Sequence, residues 1–275
     1  MKPTPPLVSV VVPSFNESPD IVRASLQSLR EQTFTDFECI VIDESTRPEL
    51  AAACQAACAI DSRFIYVHPT KRLGLSRSLN LGLDRARGEL IARFDSDDLC
   101  LPDRLNLQVA YLRAHPAVSV VGGSLEIMDE DGRTEAFRHY PLEPKAVARG
   151  MHLTTTVAHP TIMFRRALVA THGSYNPAFR FSEDLDLWLR WMNAGVVFAN
   201  IPQVVVRYRQ KNTRRDTKHW RFNLRARVRN FAPQHLLRRL IGIGCIAVWT
   251  VLPMAIQEHA FRIMILRRQR RSPSA

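Results

Sequence analysis

LSRSLNLGLDRARGELIARFDSDDLCLPDR, residues 75–104, holds a helix, a strand and an acidic turn in immediate succession. LSRSLNLGLDRA reads as a helix closed by Gly88, and ELIARFD as a short buried strand. The strand ends on Asp95, Asp97 and Asp98, and with Asp103 this makes four carboxylates within nine positions. Asp98 or Asp103 could cap the helix that begins near Pro102, because acids favour helix N-termini. Capping does not account for Asp95 and Asp97, which alternate at the mouth of a strand. Like charges held there need a compensating cation, and oxygen-only ligands suit a hard divalent metal that also grips phosphate.

The preceding residues repeat the unit. LVSVVVP, FECIVID and FIYVHP read as buried strands, separated by helices at residues 19–32 and 49–59. Four strands alternating with helices imply a parallel, doubly wound sheet, in which ligands bind beyond the carboxyl ends of the strands. Pro13, Asp43 and Asp95 all lie at such ends. One crevice can collect them.

Beyond Arg104 a helix runs towards Ala114, and VSVVGGSLEIMD resumes β character before a turn at DEDG. Residues 138–157 carry no assignable pattern. HPTIMFRR reads as a strand, SEDLDLWLRWMNAG as a helix opened by Ser182, and FANIPQVVVRYR closes the body.

Composition separates two regions. Residues 207–275 hold 17 basic and two acidic side chains, net +15, whereas the first 206 residues carry 21 bases and 24 acids, net −3. The body is near neutral and the tail strongly basic. An apolar content of 46% supports a sizeable core. The five cysteines (Cys39, Cys54, Cys58, Cys100 and Cys245) show no disulfide or zinc spacing and read as structural thiols of a reducing compartment. MKPTPPLVSVVVPSF lacks the apolar segment of a signal peptide, so the body is expected on the cytoplasmic side.

VSVVVPSFNE, IVIDES, LGLSRSLNLGLDRARGELIARFDSDD, HPTIMF, SEDLDLWLR and VVVRYR follow one another in an order and spacing that resembles the family 2 inverting glycosyltransferases. The match is to enzymes of bacterial exopolysaccharide, capsule or lipopolysaccharide assembly, and it covers roughly residues 7–210. It implies an α/β GT-A (nucleotide-diphospho-sugar transferase) fold: a mostly parallel sheet flanked by helices, followed by a basic and apolar helical tail. The expected division is a glycosyltransferase domain over 1–210, with 1–105 on the nucleotide-sugar side and 106–210 on the acceptor side, then a membrane-associating tail over 211–275.

The resemblance also implies roles for individual residues. Pro13 and Phe15 would line the nucleotide pocket, and Asp43 with Glu44 would meet a uracil-type base. Glu44 stands where the family usually has a second aspartate, which leaves the identity of the base open. Asp95 would lie near ribose and metal, and Asp97 would ligate the metal, Mn2+ or Mg2+. Arg72 and Arg77 fall where the nucleotide or phosphates are reached, and Arg207, with Arg209, in a late basic motif that meets pyrophosphate. Asp184 matches the general base, with Glu183 as neighbour and stand-in, although Ser182, Glu183 and Asp184 could equally cap a helix. His159 would touch acceptor or sugar, or be a turn histidine; Trp188 reads as core or as a sugar-stacking ring. Asp186 is expected to face away or to orient a neighbour.

The implied partners are a nucleotide-sugar donor, expected to be UDP-linked, a glycan or lipid-linked acceptor, and an anionic membrane surface. A nucleic-acid partner is not expected, since the basic tail carries a long apolar run instead of interleaved aromatics. LIGIGCIAVWTVLPMAI, residues 240–256, is 17 residues long, at the short limit for a spanning helix. Basic clusters on both sides favour a segment lying in the cytoplasmic face of the membrane, against a span or a buried docking helix. A nucleotidyltransferase would also use a DxD-like strand end, but VVPSFNES offers no glycine for a triphosphate loop. An inactive membrane-bound scaffold that binds nucleotide-sugars is the remaining alternative.

Overall fold

A computed structural model describes residues 4–210 and 217–252. The first half alternates strand and helix: β1 Val8–Ser14, α1 Pro19–Arg30, β2 Phe37–Asp43, α2 Pro48–Cys58, β3 Phe64–Val67, α3 Leu75–Arg85 and β4 Leu90–Arg93. All seven residues of β2 are buried and β1 is nearly so, because helices cover both faces. These strands lie in the order β3-β2-β1-β4 and pair parallel throughout, as the alternation requires. Their register aligns Ser14 with Asp43, and Val11 with Arg93. The carboxyl ends therefore open on one edge. Gly82 lets α3 sit directly on β1, since a Cβ there would lie 2.4 Å from Val11 Cγ1.

The second half mixes directions. It comprises β5 Leu99–Cys100, α4 Arg104–Ala114, β6 Val120–Met128, β7 Thr134–Arg138, α5 Pro144–Met151, a 3-10 turn at His159–Thr161, β8 Met163–Arg165, α6 Ala167–His172, α7 Glu183–Asn193 and β9 Phe198–Arg209. The sheet continues β4-β8-β6-β9-β5, with β7 hydrogen-bonded to β6. Strand β8 runs antiparallel to β4 and β6, and β9 parallel to β6. HPTIMFRR is thus only partly strand, because the Thr161 hydroxyl donates to the Ala158 carbonyl and closes a turn first.

Neither acid proposed as the cap of α4 performs that task. Asp103 occupies the cap position but makes no capping bond, and its Oδ1 accepts from Thr33 Oγ1 at 2.9 Å. Asp98 accepts instead from the backbone N–H of Arg209 at 2.8 Å. The short β5, paired antiparallel with β9, draws it away from the helix.

Helices α8 Thr217–Arg229 and α9 Leu236–Val251 pack on the body through α7. Asp186, fully buried on α7, accepts from Asn230 Nδ2 and Arg190 Nε. Asp186 thus orients two neighbours, one on its own helix and one at the end of α8. Arg239 of α9 donates to Asn193 Oδ1 and to the Asn230 carbonyl, which fastens the far end of α7 to the same corner. Of the apolar run at 240–256, Pro253 to Ile256 lie outside the described residues, as do Arg262, Arg267, Arg268, Arg270 and Arg271.

Candidate active site

The acidic turn after β4 is a compact cluster. One oxygen from each of Asp95, Asp97 and Asp98 lies within 4.8 Å of the others. Asp98 is fully buried, and its Oδ2 has no hydrogen-bond partner among the described residues. Burial first, then the charges of Asp95 and Asp97, push its carboxyl well above the usual carboxylate range. An orphaned buried oxygen beside two further carboxylates is a donor set that fits a hard divalent cation. Arg209 holds the turn from β9: its N–H reaches Asp98 and its Nε donates to the Asp97 carbonyl at 3.0 Å. Arg207 points elsewhere, donating to Glu126 Oε1 and the Gly132 carbonyl on the β6–β7 side.

At the ends of β1 and β2 lies the second group. Asn16, at a left-handed φ of 52°, donates its N–H to Ser45 Oγ and exchanges side-chain bonds with Thr46. Asp43 is fully buried and accepts from Ser45 N, Ser45 Oγ and the Tyr66 hydroxyl. Glu44 accepts from the N–H groups of Leu73 and Gly74 and from Ser78 Oγ. Its carboxylate thereby fastens the loop leading into α3, where Gly74 sits at φ 81°. Phe15 is partly exposed beside the half-buried Pro13, and the Arg72 guanidinium stacks 4.0 Å above the Phe15 ring. That pair forms an apolar and cationic wall. Arg77 is exposed on α3.

The first turn of α7 supplies the third group. Ser182 adopts a left-handed φ of 56°, an uncommon backbone state for serine. Its hydroxyl is buried and makes no capping bond. The capping reading of this residue therefore fails at the side chain. Asp184 Oδ1 accepts from Leu185 N at 2.7 Å. Glu183 is buried, and burial first, then Asp184, raises its carboxyl to about 8. His159 lies 3.9 Å from Glu183 through Nδ1, and its Nε2 meets the Tyr175 hydroxyl at 2.8 Å. Burial first, then Arg93, hold its imidazole well below the ordinary range. At neutral pH the His159–Glu183 contact is therefore between two uncharged groups. Trp188 is fully buried edge-on to His159, at 5.9 Å between ring centres, and belongs to the core.

Asp95 and Asp97 thus follow the end of β4 and Asp184 lies in the first turn of α7, and the charge of Asp95 reaches Glu183 beside it. Sequence reading missed Arg93 and Tyr175. A charged residue inside the apolar strand ELIARF was the available signal for Arg93.

A parallel sheet with an acidic turn at its carboxyl edge and a mixed second half is the architecture of a GT-A fold. The solved structures agree: S. aureus TarS 1-349 in complex with UDP-GlcNAc gives a TM-score of 0.65 at 18% identity, covering 85% of this chain and 71% of that one. The family follows from the sequence comparison. Residues 9–173 match Glycosyl transferase family 2. The amylovoran biosynthesis glycosyltransferase AmsE of Erwinia amylovora is 32% identical over 204 residues, 74% of this chain and 76% of that protein. The O-antigen biosynthesis glycosyltransferase WbnJ of Escherichia coli is 30% identical over 194 residues, 70% and 75% respectively. The chain belongs to glycosyl transferase family 2 and is a glycosyltransferase.

Proposed function

We propose that this enzyme moves a sugar, with inversion, from a UDP-linked donor to a glycan or lipid-linked acceptor in cell-surface polysaccharide assembly. The observation that carries the reading is the Asp95–Asp97–Asp98 cluster at the end of β4, whose Asp95 is paired with the buried Arg93, within electrostatic reach of Glu183. The printed roles of AmsE and WbnJ support the pathway class, and the TarS complex with UDP-GlcNAc supports the donor class.

The crevice at Pro13, Phe15 and Arg72 binds the nucleoside, and the buried Asp43 braces its floor through Ser45 and Tyr66. Asp95 and Asp97, backed by Asp98, would hold a divalent cation, Mn2+ or Mg2+, which supplies countercharge for the pyrophosphate. Arg209 keeps that turn in place. Asp184 takes the proton of the acceptor hydroxyl as its oxygen bonds to the anomeric carbon from the face opposite the nucleotide. The bond from that carbon to the phosphate oxygen breaks, and the configuration inverts. Residues 1–105 then serve the donor and 106–210 the acceptor. Incubating the enzyme with a panel of nucleotide-sugars should release UDP from one of them, with stimulation by Mn2+. Release of a different nucleotide would remove the donor assignment, and no release from any donor would favour a scaffold.

Membrane association at the cytoplasmic face is the second part of the proposal. Helix α9 seats Gly242 against the His152 carbonyl, where a Cβ would meet the oxygen at 1.9 Å, and buries Arg239 on the same side. Its opposite side exposes Leu237, Leu240, Ile241, Val248 and Val251 at helical spacing, an apolar stripe rimmed by exposed Arg238. No described helix is long and apolar enough to cross a membrane. The exposed stripe supports a placement of α9 in the headgroup plane. Replacing Leu237, Ile241 and Val248 together by Gln should weaken co-sedimentation with phosphatidylglycerol vesicles at least tenfold while UDP release persists. Undiminished sedimentation would remove α9 as the anchor.

A further inference from the structure

Arg93 ends β4 with only 4% of its surface exposed. Its backbone is fixed on both sides, since its N–H donates to the Ile162 carbonyl at 3.0 Å and its carbonyl accepts from Arg104 Nη2 at 2.7 Å. The guanidinium donates through Nη1 to Asp95 Oδ2. Its Nε is buried with no hydrogen-bond partner among the described residues. The surrounding groups come from separate elements: Asp95 and Asp98 from the acidic turn, Tyr175 from the loop before α7, His159 from the 3-10 turn and Glu183 from α7. Tyr175 is itself clamped, because Asn80 of α3 bonds both its N–H and its carbonyl.

A buried guanidinium is costly even when one carboxylate pairs with it, and here Nε is left without a partner among the described residues, so a guanidinium retained here has a geometric task as well as an electrostatic one. Two explanations make opposite predictions about a divalent cation. As a bare charge, Arg93 would repel a metal at the acidic turn. As a planar donor gripping one oxygen of Asp95, it would hold that carboxylate in a single orientation for the metal. We propose that Arg93 is a positioning residue that orients Asp95 for the metal–nucleotide complex and does so from between the donor and acceptor halves of the site. Its rigid seat at the junction of β1, β4 and β8 favours the second explanation.

This inference rests on the proposed UDP-linked donor and divalent cation. The test uses the full chain as wild type, Arg93→Lys and Arg93→Met, with UDP affinity measured by calorimetry with and without Mn2+. Wild type should bind UDP more tightly when Mn2+ is present. Both variants should bind UDP alone as wild type does, because Phe15, Asp43 and Arg72 are untouched, yet lose the Mn2+-dependent gain by at least tenfold. Lysine keeps the charge but not the planar fork, so its failure isolates orientation. Tighter Mn2+-dependent binding in Arg93→Met would establish simple repulsion and overturn the inference. Equal loss with and without Mn2+ would mean misfolding alone and would overturn it as well. Variants with unchanged Mn2+ coupling would remove the inference but leave the donor reading standing. Absence of coupling in wild type would remove the metal reading on which it rests.

Discussion

Asp184→Asn should lower sugar transfer by about a hundred- to ten-thousand-fold and leave UDP binding unchanged, because the proposed general base acts on the acceptor and not on the nucleotide. The substitution is nearly isosteric. Its amide oxygen can still accept from Leu185 N, so the first turn of α7 is preserved. The adjacent acid provides the control. Glu183 carries a carboxyl raised from 4.5 to about 8 by burial and then by Asp184, so of the two acids it is the one that burial favours in the protonated form. Glu183→Gln should therefore keep transfer within about tenfold of wild type. Its effect lies in stability. Between the unfolded value of 4.5 and the folded value near 8, the native state binds more protons than the unfolded chain, so stability falls as pH rises. The slope approaches about 1.4 kcal/mol per pH unit, and the Glu183→Gln variant lacks it. Thermal melts at pH 5 and pH 8 should show that variant gaining on wild type at the higher pH. A dead Glu183→Gln enzyme beside an active Asp184→Asn enzyme would move the base by one residue.

That Asp184 stands out in the sequence while Arg93 and Tyr175 do not has one physical origin. Strands buried on both faces must be continuous apolar runs, so β1, β2 and β4 were legible directly from VSVVV, FECIVI and LIA. Their parallel pairing followed from the helices between them. The direction of β8 did not follow, since an apolar run carries no sign of its orientation. Helix α5 buries only Val147 and Met151, and β7 buries none of its five residues, so neither left a readable period. Two-residue β5 exists through its pairing with β9, more than one hundred positions away. The same distinction runs through the site. Acids at strand and helix ends are announced by their positions, whereas Tyr175 is defined by contacts to His159 and Asn80 that only the fold creates. Glu44 shows a further limit. Its place at the end of β2 was legible, but not that the loop before α3 would take up its oxygens.

Asp97→Ala should abolish Mn2+-stimulated nucleotide release without unfolding the protein. The backbone of the turn survives the change, because Arg209 Nε bonds the Asp97 carbonyl and Arg209 N bonds Asp98. Removing one of three carboxylates whose oxygens lie within 4.8 Å also relieves like-charge repulsion, so the melting temperature should hold or rise slightly. The functional loss is of another order. Countercharge at a leaving pyrophosphate contributes several kcal/mol to the transition state, and about 1.4 kcal/mol corresponds to a factor of ten in rate. A fall of about a hundred- to thousandfold is the expected result. Two measurements separate this from a general weakening of the site. Direct Mn2+ binding, followed by electron paramagnetic resonance, should be lost in Asp97→Ala, whereas UDP binding without metal should match wild type because the nucleoside crevice is built from β1 and β2. Asp103→Ala is the matched control: it also deletes an acid from the same stretch, but one bonded to Thr33 Oγ1 and outside the cluster. That variant should keep both Mn2+ binding and release. Full Mn2+-stimulated release in Asp97→Ala would refute the placement of the metal at this turn.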